Sequence, residues 1–310
     1  MPWNDIWQAD MNGSGLLPLI KNRSDKELNN SKGYIVVDLN PYEESESDKD
    51  LSERKEINVL ADPHFVNKKS YDLITKLLDN YNLNASEREV FEPDEIKEVN
   101  EFLNYASNTE TMQVAKKYLE ENNYIKAGIS NDEWIDMLYN VWFEPRRNGT
   151  TSVFEHVFVG EKDSKKRKNI LGGQHFWYQY LLHEGPFDKI ERDDKIFFLK
   201  TVQVQLQEIS NYAEVITISY RYVAKDKYHP NSTELIKKIG GFFVGLSAEG
   251  LLALGTAAYF ISAPKDSNRC GDIVKDIPIK INEETYNLKV VLKCDEGKTF
   301  FRTFYPMIIS

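Results

Sequence analysis

Hydrophobic residues between positions 71 and 143 recur at helical spacing. Residues three and four apart share one face of an α-helix, and Tyr71, Ile74 and Leu77 form such a stripe. The pattern predicts four helices, at residues 71–78, 94–103, 111–119 and 131–142. Ahead of them, the apolar run YIVVDL at 34–39 predicts a strand, and the polar segment 40–54 predicts a solvated loop.

After Pro145 the apolar residues alternate with polar ones, which is the period of a strand. Strands are predicted at 153–159, 201–207, 215–223, 288–294 and 299–305. The second and third should pair antiparallel, and the turn DEGK at 295–298 should join the last two as a hairpin. Helices are predicted at 175–182 and in the apolar run 248–261.

These elements predict an α+β fold. The N-terminal half, residues 1–145, should be mainly helical. The C-terminal half, residues 146–310, should consist of antiparallel sheets with packed helices.

The composition indicates a folded protein outside the membrane. Apolar residues make up 41% of the 310, enough for a packed core, and no run approaches the roughly 20 apolar residues of a membrane span. The first 15 residues show no secretory signal, so we expect a cytoplasmic location. Two cysteines, Cys270 and Cys294, are too few for a disulfide framework. A single bond between them is one alternative, but we expect both to stay thiols.

Charge is distributed unevenly between the two halves. The net charge of −10 argues against nonspecific nucleic-acid binding by the whole surface. Residues 1–150 carry −12, whereas residues 151–310 carry +2. The second half can therefore face an anion. It also contains a basic run, KKRK at 165–168.

Two histidines of the second half are candidates for chemistry. On the predicted strand, His156 shares a face with Phe154 and Phe158. It is then either a hydrogen-bonded core residue or a titratable group in a dry cleft wall. His175 follows two glycines, which permit a tight turn or a close approach to a ligand. At a helix N-terminus its pKa would be lowered, which suits a neutral imidazole that accepts a proton.

Other kinds of site fit the sequence less well. His156 and His175 with Glu161 or Glu184 could supply two imidazoles and a carboxylate to a metal, but their spacing matches no compact motif. The chain has no G-x-S-x-G, Walker or G-x-G-x-x-G motif, which disfavours an α/β-hydrolase, a P-loop enzyme and a dinucleotide-binding enzyme.

Two histidines and a lysine suit the cleavage of RNA by transesterification. That reaction needs a base for the 2′-hydroxyl and an acid for the departing 5′-oxygen. It also needs a cation to stabilise the charge that grows on the phosphoryl oxygens. Histidine can perform both proton transfers near neutral pH, and no metal is required as a Lewis acid.

Four sequence blocks resemble the EndoU family of XendoU-like, uridylate-specific endoribonucleases. The blocks are FEHVFVGE at 154–161, GGQHFW at 172–177, KKIGGFFVGLS at 237–247 and TFYP at 303–306. IWQAD at 6–10 and TMQVAKKYL at 111–119 also look like the cellular branch of that family. The resemblance thus covers most of the chain.

The resemblance implies a catalytic C-terminal half that cleaves RNA and leaves a 2′,3′-cyclic phosphate and a 5′-hydroxyl. It implies that His156 is the general acid and His175 the general base. Lys237 aligns best with the family's lysine. Lys238 replaces the proline that follows it in the family, so either lysine is a candidate for the phosphate contact.

The resemblance also implies residues that bind the base. Ser247 would help to read the uracil edge. Thr303 and Tyr305 match the family's terminal substrate-binding pair, in which the tyrosine would stack on the base or ribose. Leu246 and Gly250 differ from the family pattern, which commonly has threonine and an aromatic residue there. We therefore expect cleavage with a modified base pocket.

Glu155 and Glu161 look like the family's accessory carboxylates, and the predicted strand turns Glu155 away from His156. Arg147 is a candidate phosphate contact. The family implies Mn²⁺ or Ca²⁺, but no EF-hand motif places such an ion.

The expected partner is single-stranded RNA, with no DNA, no membrane and a monomeric chain. Two alternatives are a noncatalytic RNA-binding protein on the same scaffold and a metal-dependent hydrolase.

Overall fold

The computed structural model describes most of the chain. The described residues are 1–20, 33–37, 59–61, 69–146, 149–162, 169–183, 196–203, 211–224, 231, 233–264, 271–295 and 297–308. The predicted loop at 40–54, the basic run at 165–168, Arg147 and Glu184 lie outside them.

The four helices predicted in the first half are present, and a further helix precedes them. These are α1 (Trp3–Asn12), α2 (Lys69–Leu77), α3 (Pro93–Ser107), α4 (Glu110–Glu121) and α5 (Asn131–Trp142). The start of α5 is fixed by a capping box, in which Ser130 Oγ accepts from Glu133 N and the Glu133 carboxylate accepts from Ser130 N.

A small sheet accompanies these helices. β1 (Leu17–Ile20) pairs in parallel with β2 (Tyr34–Val37), which pairs antiparallel with β3 (Val59–Ala61). Of these three strands only β2 was predicted, from the apolar run YIVVDL. Helix and sheet are therefore mixed in this protein, and the boundary at residue 145 stays a prediction.

The described strands of the second half form two three-stranded antiparallel sheets and one two-stranded sheet. They are β4 (Glu161–Lys162), β5 (Leu171–Gly172), β6 (Ile196–Gln203), β7 (Val215–Ala224), β8 (Thr233–Phe243), β9 (Ile273–Ile281), β10 (Glu284–Asp295) and β11 (Lys298–Ile308). β4 pairs with β5, β7 lies between β6 and β8, and β10 lies between β9 and β11. The predicted β10–β11 hairpin is confirmed. Of the strand predicted at 201–207, residues 201–203 are described, and they pair antiparallel with β7 as predicted.

The two helices predicted in this half are α6 (Trp177–His183) and α7 (Ala248–Ser262). The first 11 residues of α7 are buried, because this helix packs against helices of the first half and against β10 and β11. None of the helices in the described ranges has the length and apolar character needed to cross a membrane.

The strand predicted at 153–159 is wrong. These residues form a helical turn that continues as the π-helical segment Glu155–Val159. Phe154 and Phe158 stack with ring centroids 4.4 Å apart, as helical neighbours four residues apart can do. A spacing of four fits both a helix and a strand, and six of the seven residues are buried. The segment therefore has no polar face to reveal its helical period.

The core joins the two halves around β11. Trp142 at the end of α5 packs edge-on against Phe301 and Phe304, with centroids 5.4 and 6.1 Å apart. Its indole N–H donates to Thr256 of α7 at 2.9 Å. This packing fixes the strand that carries part of the candidate site.

On the neighbouring β10, Cys294 is disulfide-bonded, so the expectation of a free thiol there is wrong.

Candidate active site

His156 lies in the π-helical segment, and both ends of that segment are fixed. At its start, Ser152 Oγ accepts from Glu155 N at 3.0 Å, and the Glu155 carboxylate accepts from Ser152 N at 3.2 Å. At its end, Gly160 has a φ of 88°, and a Cβ there would lie 2.8 Å from Gln174 Cβ. Turns of this kind are rare and frequently occur at functional sites.

The Glu161 carboxylate orients the His156 ring. Nδ1 of His156 lies 2.8 Å from Glu161 Oε1. An ionised carboxylate only accepts, so Nδ1 carries the proton and Nε2 of the neutral ring is the acceptor. Thr151 Oγ1 donates to Glu161 Oε2 at 2.7 Å, and the Arg302 guanidinium donates to Oε1.

Burial keeps His156 neutral at pH 7. Burial, followed by the charge of Arg302, lowers the pKa of the imidazole from 6.5 to about 4, although Glu161 offsets part of the shift. Burial alone would raise the pKa of Glu161, but His156, Arg302 and the bond from Thr151 outweigh it and lower that pKa. Since the imidazole is neutral at pH 7, the permanent charge of Arg302 is what keeps the carboxylate ionised.

A tight turn brings His175 beside His156. Gln174 N donates to His156 O at 2.8 Å, and His175 N donates to Val157 O at 2.7 Å. Gly173 has a φ of 65°, and a Cβ there would lie 1.7 Å from His156 O. Only glycine fits this position, so the glycine pair seen in the sequence allows two backbone segments to approach closely.

His175 is held between β8 and β11. Its Nδ1 lies 3.2 Å from the Gly241 carbonyl oxygen, which can only accept, and its ring stacks on Tyr305 with centroids 4.7 Å apart. Burial, followed by the charges of Lys237 and His156, lowers its pKa well below 6.5. The ring is therefore neutral at pH 7, with its lone pair on Nε2. Burial is the main cause of the low pKa, rather than the helix N-terminus that the sequence predicts.

Lys237 completes the group from β8. It is 5% exposed, and its Nζ donates to the carbonyl of Gly173, in the turn that joins the two histidines. Burial lowers the pKa of Lys237 from 10.5 to about 7. Its charge contributes to the low pKa of both histidines. The neighbouring Lys238 is exposed to solvent, so the geometry favours Lys237 as the lysine of this group.

Thr303 and Tyr305 approach the same region from β11. Tyr305 is half-buried, and His175 covers one face of its ring. Thr303 is 8% exposed, and its Oγ1 is a buried hydroxyl with no hydrogen-bond partner among the described residues. Buried hydroxyls in proteins normally have a partner, so the hydrogen-bonding capacity of this group is unused among the described residues.

Ser247 and Glu155 have partners within the fold. Ser247 is fully buried and caps α7: its N–H donates to Asp10 Oδ2 at 2.8 Å, its hydroxyl donates to Oδ1, and its Oγ accepts from Gly250 N at 3.0 Å. Glu155 is also fully buried. Burial, followed by the charge of Glu161, raises the pKa of Glu155 well above 4.5 and so favours its protonated form.

Three residues that hold the site together were missed in the sequence. Thr151 and Arg302 bind Glu161. Gln174 holds the turn at Gly173 in place. Gln174 Nε2 donates to Val159 O at 3.1 Å, and its Oε1 accepts from the Tyr220 hydroxyl. Of these three residues, only Arg302 could have been noticed in the sequence, because it is a charged residue within the otherwise apolar strand FFRTFYP. Such a charge requires a buried partner.

Within the described ranges, no group of three or more His, Cys, Asp and Glu side chains is arranged to hold a metal ion. Two surface cavities of about 690 and 550 Å³ lie elsewhere, one between α2 and α3 and one between α5, α7 and β11. Neither is lined by His156, His175 or Lys237.

Known proteins resemble this chain along almost its whole length. The family model described as Endoribonuclease XendoU matches residues 16–306. Poly(U)-specific endoribonuclease-B of Xenopus laevis is 26% identical, over 99% of this chain and 92% of its own length. Uridylate-specific endoribonuclease EndoU of Drosophila melanogaster is 26% identical, over 63% of this chain and 54% of its own.

A solved structure shares the fold. It is described as XendoU, a splicing-independent snoRNA-processing endoribonuclease, and it superposes with a TM-score of 0.67 at 23% identity. The match covers 100% of this chain and 96% of that one.

Proposed function

The chain belongs to the Endoribonuclease XendoU family, and on this premise we propose that it cleaves single-stranded RNA, preferentially at uridines, by transesterification. The products would be a 2′,3′-cyclic phosphate and a 5′-hydroxyl. One observation carries the proposal: two buried neutral histidines and a buried lysine meet at the turn formed by Gly173.

His175 is the proposed general base. Its neutral ring has the lone pair on Nε2, because Nδ1–H is bound to the Gly241 carbonyl. It would take the proton of the 2′-hydroxyl as O2′ attacks the phosphorus. Among the described residues, the one hydrogen-bond partner of Nδ1 is the neutral Gly241 carbonyl, and the charge of Lys237 opposes a second proton. These surroundings suit a base better than an acid.

His156 is the proposed general acid. As the P–O5′ bond breaks, the protonated ring would give its Nε2 proton to O5′. The bound phosphodiester adds negative charge, which raises the pKa of nearby imidazoles. His156 would be protonated before His175 because the Glu161 carboxylate stabilises an imidazolium at Nδ1.

Lys237 is the proposed cation for the phosphoryl oxygens. A buried ammonium is screened little by solvent, so its charge acts strongly on an anion nearby. A phosphodiester that binds here would favour the charged form of a lysine whose pKa burial has lowered to about 7.

Tyr305 and Thr303 are the proposed contacts for the base. The stack on His175 puts the Tyr305 ring next to the proposed base, and the Tyr305 side chain is only half-buried. The buried Thr303 hydroxyl could bond the edge of a pyrimidine. The names of the relatives from Xenopus laevis and Drosophila melanogaster, poly(U)-specific and uridylate-specific, support uridine as that base.

The ion that the family resemblance implies has no assigned ligands here. Because no described group of side chains fits Mn²⁺ or Ca²⁺, the proposed reaction contains no step at a metal ion.

The proposal is tested with an oligoribonucleotide that contains one uridine. Wild type should cleave it, whereas His156→Ala, His175→Ala and Lys237→Ala should each lose at least about 100-fold in rate. His183→Ala is the matched control, because His183 lies at the end of α6 against Tyr222, and it should cleave like wild type. Cleavage that survives both His156→Ala and His175→Ala would sink the proposal.

A further inference from the structure

Arg302 is a buried charge next to the proposed general acid. Its side chain is 12% exposed and ends on Glu161, whose side chain is 3% exposed. Its Nη1 lies 3.3 Å from Thr151 Oγ1, and that hydroxyl donates to Glu161 Oε2 at 2.7 Å. Arg302, Glu161 and Thr151 therefore form a closed ring of hydrogen bonds.

We propose that Arg302 is a positioning residue for RNA cleavage: it fixes the Glu161 carboxylate, which in turn fixes the tautomer and orientation of His156. This inference rests on the proposed function, because it assigns Arg302 to the same reaction. Arg302 is placed to act through Glu161, because its hydrogen bonds among the described residues run to Glu161 and Thr151.

The shared oxygen explains how the effect would be transmitted. Glu161 Oε1 accepts from both His156 Nδ1 and Arg302, while Oε2 accepts from Thr151. With both oxygens engaged, the carboxylate cannot rotate, and its direction sets the plane of the imidazole.

Loss of the guanidinium would also change the chemistry of Glu161. A buried carboxylate without a cation tends to take up a proton. A protonated Glu161 could donate to His156 Nδ1, which would move the ring proton to Nε2. The carboxylate charge that stabilises the imidazolium would then be lost as well.

The test compares Arg302→Gln, Glu161→Gln and the double variant. Arg302→Gln should lower kcat by about 10- to 100-fold, the range typical of groups that orient a functional histidine, with KM nearly unchanged. The double variant should be no slower than Glu161→Gln alone, because the two residues act in series. Arg221→Gln is the control, since its pair with Glu234 on β7 and β8 is an arginine–glutamate contact outside the site.

A second readout needs no activity. In ¹⁵N NMR the His156 ring should be the Nδ1–H tautomer in wild type and should shift toward Nε2–H in Arg302→Gln. If wild type does not cleave RNA, the proposed function fails, and the tautomer still tests the role of Arg302. A variant with wild-type kcat and tautomer but a lower Tm would overturn the inference, because Arg302 would then be only structural.

Arg302→Lys covers the case in which Arg302→Gln does not fold. It keeps a cation beside Glu161 but loses the planar fork that holds Thr151 and Glu161 in one fixed geometry. We expect it to fold and to lose at least about threefold in kcat, because it lacks the rigid fork of the guanidinium. Wild-type kcat together with an unchanged tautomer in this variant would also overturn the inference.

Discussion

The buried charge of Lys237 should make the stability of this protein depend on pH in a defined way. Lys237→Met keeps an unbranched side chain of similar length and removes the ammonium. In the folded protein, burial holds the pKa of Lys237 at about 7 instead of 10.5. The folded state therefore binds a proton less readily than the unfolded state, and its stability must rise with pH between these two values.

The size of the effect follows from that shift. At about 1.36 kcal/mol per pKa unit, the full penalty is roughly 5 kcal/mol, and it is fully present only below the folded pKa. Between pH 6 and pH 9 the penalty should fall by about 2–3 kcal/mol. Loss of the bond to the Gly173 carbonyl adds a constant cost to Lys237→Met, so the change with pH is the informative quantity.

The assay is urea unfolding of wild type and variant at pH 6 and pH 9. The variant's stability relative to wild type should be about 2–3 kcal/mol more favourable at pH 6 than at pH 9. Lys238→Met is the matched control, because an exposed neighbour carries no burial cost, and its difference should be flat. A flat difference for Lys237→Met as well would refute the argument that Lys237 is a desolvated cation.

Three further predictions concern the rest of the site. Glu161→Gln removes the charge that favours an imidazolium, so the pKa of His156, about 4 in wild type, should fall further in an NMR titration. An unchanged pKa would contradict the pairing of His156 with Glu161. Tyr305→Ala should raise KM for a uridine-containing oligonucleotide about 5- to 150-fold, from a stacking energy of about 1–3 kcal/mol, while Tyr305→Phe stays near wild type. Equal KM values for both variants would exclude stacking. Gly173→Ala should lower Tm far more than Gly128→Ala. Both glycines have positive φ, but only at Gly173 would a Cβ lie 1.7 Å from a backbone oxygen. Similar Tm values would count against the close approach of Gly173 to His156.

Local signals made several elements predictable from the sequence. The helix predicted at 131–142 is α5, because an apolar stripe and a capping box both mark it. The β10–β11 hairpin was predictable from alternation and its turn. The segment 153–159 was not, because burial on almost every side removes the contrast between faces on which periodicity depends.

The members of the candidate site were more predictable than their arrangement. His156, His175 and Lys237 lie in sequence blocks that resemble a family, so the sequence alone predicts them as candidate catalytic residues. The contacts among them join residues far apart in sequence: Lys237 binds Gly173 across 64 residues, and Arg302 binds Glu161 across 141. No local pattern encodes such pairs, so the Arg302 network became visible only in three dimensions.

The most direct test of the proposed chemistry is mass spectrometry of the ends produced from an oligonucleotide with one uridine. Transesterification predicts a 5′ fragment that ends in a 2′,3′-cyclic phosphate and a 3′ fragment that begins with a 5′-hydroxyl. It also predicts no cleavage when that uridine is replaced by 2′-deoxyuridine, because the attacking hydroxyl is then absent. A 3′-hydroxyl on the 5′ fragment, or cleavage at the deoxyuridine, would contradict the roles proposed for His156, His175 and Lys237.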